Sequence, residues 1–249
     1  MDGGSAGTAL GRLLDGGPHL TVGIITADLA HLDDQLRVIE QAGVGFVHVD
    51  VGDGAFSPMF TVGAPLVKAM RTSMLKDVHL LVRDPLSKID AFVAAGADMI
   101  TFHVEGVDQP HRVLQVLGKA TNVNDPGRRI VRGIALDPST PLAVVEPVLD
   151  DIDYLLILAI DPGWGGQTFL PSTARRVAAA RRLVEASGRP IAVGVDGGVT
   201  RDNIEAVAGI GADVIVSGSA IFDGSSGVAA NAEAMLELVR RGSGLPVPA

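Results

Sequence analysis

The feature that most constrains the fold is a regular alternation of short apolar, β-branched runs with longer segments rich in alanine and leucine. Eight runs are strand candidates: 20–25, 46–51, 77–81, 99–103, 130–136, 154–160, 191–195 and 214–217. Segments between them, such as 32–42, 62–71, 85–95, 142–149, 173–186, 201–209 and 229–240, are typical of helices. Uniformly apolar strands indicate burial on both faces, as in a parallel sheet covered by helices. Eight strand–helix repeats favour a closed (β/α)8 TIM barrel over an open doubly wound sheet.

The chain length limits how many domains these repeats can build. A chain of 249 residues with 47% hydrophobic side chains can bury one large core, and α/β barrels of this length commonly form a single domain. We therefore predict one catalytic α/β barrel over residues 19–241. Residues 1–18 and 242–249 contain glycine and proline without apolar periodicity, so flexible tails are expected there.

Charge and residue usage exclude several classes of function. A net charge of −9 without a basic patch argues against nucleic acid or an anionic membrane as a partner. The absence of cysteine excludes disulfides, thiolate catalysis and cysteine ligands, so a metal would be bound by histidine and carboxylate. No basic start precedes an apolar segment, and no apolar run approaches about 20 residues. These features predict a cytoplasmic protein.

Histidine and aspartate stand where the predicted strands end, which is where barrel enzymes build their sites. His48 and Asp50 end the second strand and share a face because side chains alternate along a strand. His79 ends the third strand and Asp196 ends the seventh. Together they would converge at the barrel mouth and leave open positions on a divalent ion for substrate oxygens. Both carboxylates could also move protons.

Each of these residues also has a purely structural interpretation. A single histidine at a strand end is often held by hydrogen bonds alone, and Asp196 could form an Asx-type turn into the glycines that follow it. Matching residue types at three strand ends favour a metal site. His103, beside Glu105 at the end of the fourth strand, is left open between supporting a ligand and stabilising the fold. Three further histidines are predicted to be solvated: His19, His31 and His111.

Glycine-rich segments follow the last three predicted strands. Residues 161–167 follow strand six, 197–198 follow strand seven and 217–219 follow strand eight. Loops in these positions of a barrel commonly hold a phosphate with backbone N–H groups, and glycine permits the close approach. One glycine pair would indicate only a tight turn, but three on consecutive strands favour phosphate binding without any lysine.

A metal on one side of the mouth and a phosphate on the other predict a small phosphorylated substrate. Chelation of a ketone and its neighbouring hydroxyl would acidify the carbon that bears the hydroxyl, because the charge of the forming enediolate is neutralised. Two aspartates on opposite faces of that carbon could invert it, one removing a proton and the other returning one.

Six short segments resemble the motifs of ribulose-phosphate 3-epimerases, and they lie in the family's order between residues 20 and 224. These segments are 48–54, 77–80, 103–105, 162–167, 195–198 and 218–222. The resemblance implies a metal-dependent barrel isomerase that interconverts D-ribulose 5-phosphate and D-xylulose 5-phosphate in pentose phosphate metabolism. It implies that Asp50 is the proton acceptor and Asp196 the donor, with the roles exchanged in the reverse direction. The implied metal ligands are His48, Asp50, His79 and Asp196.

The same resemblance identifies the residues that would bind substrate. Contacts to phosphate or sugar fall on His79, Gly163, Trp164, Gly165, Gly166, Gly197, Gly198, Gly218 and Ser219. One divalent ion per subunit is implied, and histidine with carboxylate suits zinc, iron(II), manganese or cobalt. Members of the family associate, so a homo-oligomer is also expected.

Several positions around the expected sugar site depart from the family pattern. The usual serine of the first strand is Gly23. The methionines that normally cap the site are replaced by Gly52, Leu81 and Leu158. A Pro-Asn pair has become Pro58-Met59, which would refill part of the space. The nearest alternative substrate is therefore a hexulose or tetrulose phosphate.

Two other classes are left open by the sequence. A phosphate-binding barrel lyase would need a lysine in its site, either buried at a strand end in a Schiff-base aldolase or among aspartates in a decarboxylase. All four lysines are predicted on helices or loops: Lys68, Lys76, Lys88 and Lys119. A catalytically silent sugar-phosphate binding protein would need the phosphate loops but not both aspartates. The positions of the lysines argue against the lyase, and the complete set of four ligands argues against the silent binding protein.

Overall fold

The barrel expected from the eight apolar runs is present in the computed structural model, which describes residues 8–244. Its strands are β1 His19–Gly23, β2 Phe46–Gly52, β3 Leu75–Leu81, β4 Met99–His103, β7 Val131–Leu136, β8 Tyr154–Leu158, β9 Ala192–Asp196 and β10 Val214–Ser217. These eight parallel strands close in the order β1-β10-β9-β8-β7-β4-β3-β2. Each predicted run overlaps one of them, so the (β/α)8 fold class is confirmed.

Among the described residues, eight α-helices accompany the strands, and all but the first pack on the outside of the barrel. They are α1 Ala9–Leu14, α2 Leu32–Gln41, α3 Ala64–Ala69, α4 Ile89–Ala94, α5 Pro110–Leu117, α6 Thr173–Ser187, α7 Ile204–Ala208 and α8 Val228–Ser243. The segment after β7 is a 3₁₀ helix, Leu142–Asp151, and it contains Pro147, which lacks the N–H that an α-helix would need there. No helix within residues 8–244 is both long and apolar enough to cross a membrane.

The apolar core has an outer layer between strands and helices and an inner layer inside the barrel. The inner layer consists of buried side chains that include Phe46, Leu75, Met99, Val131, Tyr154, Leu156, Leu158, Ala192 and Val214. Several of them are the first residues of their strands. Apolar packing therefore fills the barrel where its strands begin, and the polar side chains of the site lie where the strands end.

The predicted N-terminal tail differs from the structure in one part. Within residues 1–18, Ala9–Leu14 form helix α1, which Thr8 caps by accepting a hydrogen bond from the Gly11 N–H at 3.0 Å. Ala9 and Leu13 are buried against the inner layer, so this segment is part of the barrel body. Glycine within this segment (Gly11) and just after it (Gly16 and Gly17) disfavours a helix, so the sequence pattern did not indicate one. The predictions for residues 1–7 and 245–249 lie outside the described residues, and α8 continues through Ser243.

A small antiparallel hairpin was not predicted. It is formed by β5 Thr121–Asn122 and β6 Asp125–Arg129. Its residues are largely polar, which hides a strand from apolar patterning. The buried Asn122 fixes the hairpin to the body because its amide donates to Asp98 Oδ1 at 2.7 Å and to the Ala97 carbonyl at 3.1 Å.

Two side chains expected outside the strands lie within them. His19 is the first residue of β1, where its ring packs on Phe46 with the centroids 5.1 Å apart, so it is half-buried and not the solvated side chain that was expected. Lys76 lies in β3, and its Nζ donates to the Val67 carbonyl in α3 at 2.7 Å, on the outer side of the sheet. Burial lowers the pKa of Lys76. Both strands begin before the apolar runs that predict them.

Candidate active site

Three strand ends bring together the four predicted ligands. Alternation along β2 places His48 and Asp50 on the inner face, and the register of β2 with β3 places Asp50 beside His79. Asp196 ends β9, across the barrel from β3 in the strand order. One side-chain atom from each residue can be chosen so that all lie within 4.8 Å of one another. His48 and Asp50, which are close in sequence, thus form one cluster with His79 and Asp196 from two other strands.

The four donor atoms have spacings suited to a divalent ion. Asp50 Oδ1 lies 3.1 Å from both His48 Nε2 and His79 Nδ1, and Asp196 Oδ2 lies 3.5 and 3.6 Å from the same nitrogens. Bonds of about 2.0–2.2 Å separate neighbouring ligands of one ion by about 3.0–3.4 Å. Two imidazoles and two carboxylates form a donor set typical of zinc, iron(II), manganese or cobalt. The residues therefore fit a divalent ion.

The histidines of the cluster are more deeply buried than the aspartates, so the cluster is open on the aspartate side. The side chains of His48 and His79 are 0% exposed, whereas those of Asp50 and Asp196 are 18% and 14% exposed. The imidazoles are thus fixed within the barrel, and the carboxylates border the mouth. A ligand entering from the mouth would meet the carboxylates first.

The electrostatic environment keeps Asp50 ionised. Burial would raise the pKa of Asp50, but the neighbouring His48 and His79 outweigh it and hold that pKa well below its usual range. Burial would likewise lower the pKa of His48, but Asp50 and Asp77 raise it well above its usual value. Burial lowers the pKa of His79 despite its hydrogen bond to Asp50. Asp50 is therefore a carboxylate, able to bind a cation or accept a proton.

Asp77 supports the site, although the sequence assigned it no role. His48 Nδ1 lies 2.7 Å from Asp77 Oδ2, and both side chains are almost fully buried. When Nε2 binds an ion, the single proton of the neutral imidazole is on Nδ1, where the Asp77 carboxylate accepts it and fixes the ring. One feature could have pointed to Asp77: it lies two residues before His79 on a strand whose residues are all buried.

The remaining histidines fall into two groups. His103 lies inside the barrel with Nε2 2.9 Å from His79 Nε2, next to the cluster. His31 and His111 lie on the surface, as expected, and face Asp28 and Asp151.

Of the four lysines, Lys76 faces outward from β3, so no described lysine shares the inner face of a barrel strand with the ligands.

The three glycine-rich loops lie side by side. They follow β8, β9 and β10, which are neighbours in the barrel. The first loop is tied together by Gln167, whose amide donates to the carbonyls of Asp161 and Trp164 at 2.6 and 3.0 Å. Gly197 and Gly198 both have left-handed φ values, of +100° and +67°, which turn the chain immediately after Asp196. The structure thus groups the predicted phosphate residues on one side of the mouth.

The loop after β2 reaches across the mouth toward the loop after β8. A Cβ placed on Gly163 would lie 2.3 Å from Pro58 Cδ, so the two loops touch, although their strands are on opposite sides of the barrel. Two aromatic side chains of these loops are exposed, Phe60 by 81% and Trp164 by 52%. Trp164 therefore lies at the rim and not within the ligand cluster.

Gly52 is required because the loop after β2 folds back onto it. Thr61 Oγ1 accepts from the Gly52 N–H at 2.7 Å and donates to the Asp50 carbonyl at 2.6 Å. A Cβ at position 52 would lie 2.4 Å from the Met59 carbonyl oxygen. The sequence predicted that the Met59 side chain would fill the space left by the missing methionine at position 52. The structure closes this space with the Met59 backbone instead. The returning loop buttresses the strand end that carries Asp50.

We expect Gly52→Ala to lower the free energy of unfolding by about 1–3 kcal/mol, because the new methyl group collides with backbone. Chemical denaturation would measure the change. Gly127→Ala is the matched control, since its Cβ would make only an ordinary contact in the exposed hairpin and should change stability by less than about 0.5 kcal/mol. Equal stability of the two variants would contradict the packing described for Gly52.

Comparisons with known proteins agree on one family. Residues 19–222 match the profile of the "Ribulose-phosphate 3 epimerase family". The chain is 35% identical over 202 residues to the ribulose-phosphate 3-epimerase of Bacillus subtilis (strain 168), covering 80% of this chain and 89% of that protein. It is 38% identical over 208 residues to that of Treponema pallidum (strain Nichols), covering 83% and 92%.

Solved structures share the fold at much lower identity. KGPDC from Streptococcus mutans has a TM-score of 0.68 and 17% identity, covering 90% of this chain and 98% of that one. The 3-hexulose-6-phosphate synthase from Salmonella typhimurium has a TM-score of 0.55 and 16% identity, covering 90% and 99%. At these identities the likeness shows the barrel architecture only.

Proposed function

Because the chain belongs to the ribulose-phosphate 3-epimerase family of isomerases, we propose that it inverts C3 of D-ribulose 5-phosphate by proton transfer between Asp50 and Asp196. The observation that carries this proposal is the arrangement of the two carboxylates. They border the mouth from different sides of the barrel, and each lies within 3.6 Å of both buried imidazoles. Two carboxylates around one position are what a two-base inversion needs.

One divalent ion per chain would be held by His48, Asp50, His79 and Asp196, and we propose it as the cofactor. When bound, such an ion supplies positive charge that stabilises the oxygen charge developing as C3 loses its proton. The chain supports this assignment with an unbroken donor set and with Asp77, which holds the His48 Nε2 lone pair toward the cluster. The ion's identity is a choice among zinc, iron(II), manganese and cobalt.

The proton steps belong to the two aspartates. Asp50 accepts the proton from C3 of D-ribulose 5-phosphate, and the electron pair of the broken C–H bond moves into the adjacent carbonyl to form an enediolate. Asp196 then donates a proton to the opposite face of C3, and the carbonyl reforms to give D-xylulose 5-phosphate. In the reverse direction Asp196 accepts and Asp50 donates. The low pKa of Asp50 keeps this side chain ionised, as a proton acceptor must be at the start of the reaction.

The three neighbouring glycine loops would hold the substrate phosphate. We propose contacts through backbone N–H groups of residues in the loops after β8, β9 and β10, with His79 and Trp164 bordering the sugar. The residues proposed for these phosphate contacts are Gly163, Gly165, Gly166, Gly197, Gly198, Gly218 and Ser219. Backbone donors suit a protein of net charge −9, which offers an anion little long-range attraction.

A panel of ketose phosphates tests the substrate assignment. We expect kcat/KM to be highest for D-ribulose 5-phosphate and at least about tenfold lower for a hexulose 6-phosphate or a tetrulose 4-phosphate, since one misfitted carbon costs about 1–3 kcal/mol. Product formation would be followed by NMR with each sugar. A hexulose or tetrulose phosphate that is converted faster would replace ribulose 5-phosphate as the substrate and leave the two-aspartate chemistry in place.

A further inference from the structure

His103 is a buried histidine that makes polar contacts at both ring nitrogens. Its side chain is 0% exposed at the end of β4, and its ring stacks on that of His79 with the centroids 4.9 Å apart and the planes 25° apart. His103 Nε2 lies 2.9 Å from His79 Nε2. On its other side, Nδ1 lies 3.0 Å from Asp137 Oδ1 and 3.3 Å from Glu105 Oε2. The ring thus connects a proposed metal ligand to two carboxylates.

We propose that His103 is a positioning residue that fixes the tautomer of His79, so that His79 Nδ1 presents its lone pair to the metal site. This inference rests on the proposed metal site and assigns a task to a residue that neither binds the ion nor touches the reacting carbon. The sequence had left His103 open between support of a ligand and stabilisation of the fold.

The role of His79 Nδ1 as a metal ligand sets the direction of each hydrogen bond in this chain. If His79 Nδ1 is a ligand, the single proton of the neutral ring is on Nε2, so His79 donates to His103 Nε2. His103 then carries its own proton on Nδ1, where it meets carboxylate oxygens that only accept. One consistent chain of donors therefore runs from the metal site to Glu105 and Asp137.

The Glu105 carboxylate and the backbone of Asp137 are both anchored by hydrogen bonds. Glu105 Oε1 accepts from the Asp137 N–H at 2.8 Å. Arg176 donates to the carbonyls of Asp137 and Thr140 at 3.0 and 2.8 Å. These contacts fix the strand end that carries Asp137 against α6. The Glu105 carboxylate is therefore preorganised to accept from His103.

A different use of the same residues is a second cation site, since His103, Glu105 and Asp137 also form a ligand-like cluster. Such a site would take the His103 Nδ1 lone pair and move the His103 proton to Nε2. That proton would then point at His79 Nε2 and force the His79 proton onto Nδ1, where the first site needs a lone pair. A cation at the second cluster would thus oppose metal binding at the first, and the geometry favours the positioning role.

The two proposed histidine ligands are oriented by carboxylates at different distances. His48 meets Asp77 directly at 2.7 Å, whereas His79 reaches Glu105 and Asp137 only through His103. Groups that orient a metal-bound histidine typically contribute 10- to 100-fold to metal affinity, so about this range is expected for His103.

The test compares zinc binding by the full chain and by variants. His103→Leu removes the acceptor for His79, and we expect the dissociation constant for zinc, measured by chelator competition, to rise about 10- to 100-fold. His103→Gln retains a polar side chain that can accept and should show a smaller loss. His111→Leu changes an exposed histidine outside the site and should bind zinc like the unsubstituted chain. Circular dichroism would verify that each variant folds.

Nitrogen-15 NMR of the zinc-loaded, unsubstituted chain supplies a readout that does not depend on any variant folding. We expect the His79 proton on Nε2 and the His103 proton on Nδ1. Equal zinc affinity for folded His103→Leu and the unsubstituted chain, or a His79 proton on Nδ1, would overturn the inference. Two zinc ions per chain, with His103 Nδ1 bound, would establish the second cation site instead. If the unsubstituted chain binds no divalent ion, the proposed metal site itself fails.

Discussion

Asp196→Asn is expected to lower the rate of epimerisation by about 10²- to 10⁴-fold, the usual contribution of a positioned general acid or base. The amide cannot return a proton to C3, yet Asp50 can still remove one from D-ribulose 5-phosphate. In deuterium oxide this variant should therefore exchange the C3 hydrogen of D-ribulose 5-phosphate while forming almost no D-xylulose 5-phosphate. Asparagine keeps one oxygen for a cation, so the comparison is made with equal metal loading.

Asp50→Asn is the mirror of this experiment. It should exchange the C3 hydrogen of D-xylulose 5-phosphate and leave that of D-ribulose 5-phosphate unchanged. Proton NMR of each sugar with each variant gives four exchange rates, and the two-aspartate proposal predicts that only two are substantial. Loss of exchange with both sugars in both variants would show that the pair does not divide the proton steps in this way.

Asp77→Asn is expected to weaken zinc binding about 10- to 100-fold, with activity lost at limiting zinc and largely recovered at saturating zinc. An amide can donate to His48 Nδ1, which allows the ring proton to move to Nε2 and point into the ligand cluster. The change is nearly isosteric at a side chain that is 1% exposed, so its main effect is on the proton and not on packing. Chelator competition and activity against zinc concentration would measure it.

Asp153→Asn provides the matched control. Asp153 pairs with Arg132 through two contacts of 2.8 and 2.9 Å, and it directly precedes β8, where the barrel interior is apolar. This variant should lose stability without losing zinc affinity. If Asp77→Asn and Asp153→Asn bind zinc equally well, Asp77 does not orient His48.

The fold could be predicted because its signals are local. Apolar, β-branched runs marked all eight barrel strands, and β4 and β10 have the predicted bounds. The failures have physical causes. Helix α1 lies in a glycine-rich segment, the hairpin from Thr121 to Arg129 is largely polar, and Pro147 turns a predicted helix into a 3₁₀ segment.

The site was predictable only in part. Residue types at strand ends indicated His48, Asp50, His79 and Asp196, and the structure brings all four together. The roles of Asp77 and His103 depend on the register between distant strands, which apolar patterning does not contain. Gly52 was noticed because it departs from the family pattern. The reason for a glycine there is the Met59 carbonyl, which lies in a loop that folds back onto the strand end.

Metal-dependent hydrogen exchange at C3 tests the central claim most directly. The full chain would be stripped of metal, reloaded with zinc, and incubated with D-ribulose 5-phosphate in deuterium oxide while the C3 proton signal is followed. We predict that the reloaded protein introduces deuterium at C3 as D-xylulose 5-phosphate appears, and that the stripped protein does neither. Exchange and epimerisation that proceed equally in the stripped protein, or that are absent after reloading with zinc, manganese, cobalt or iron(II), would contradict the proposal.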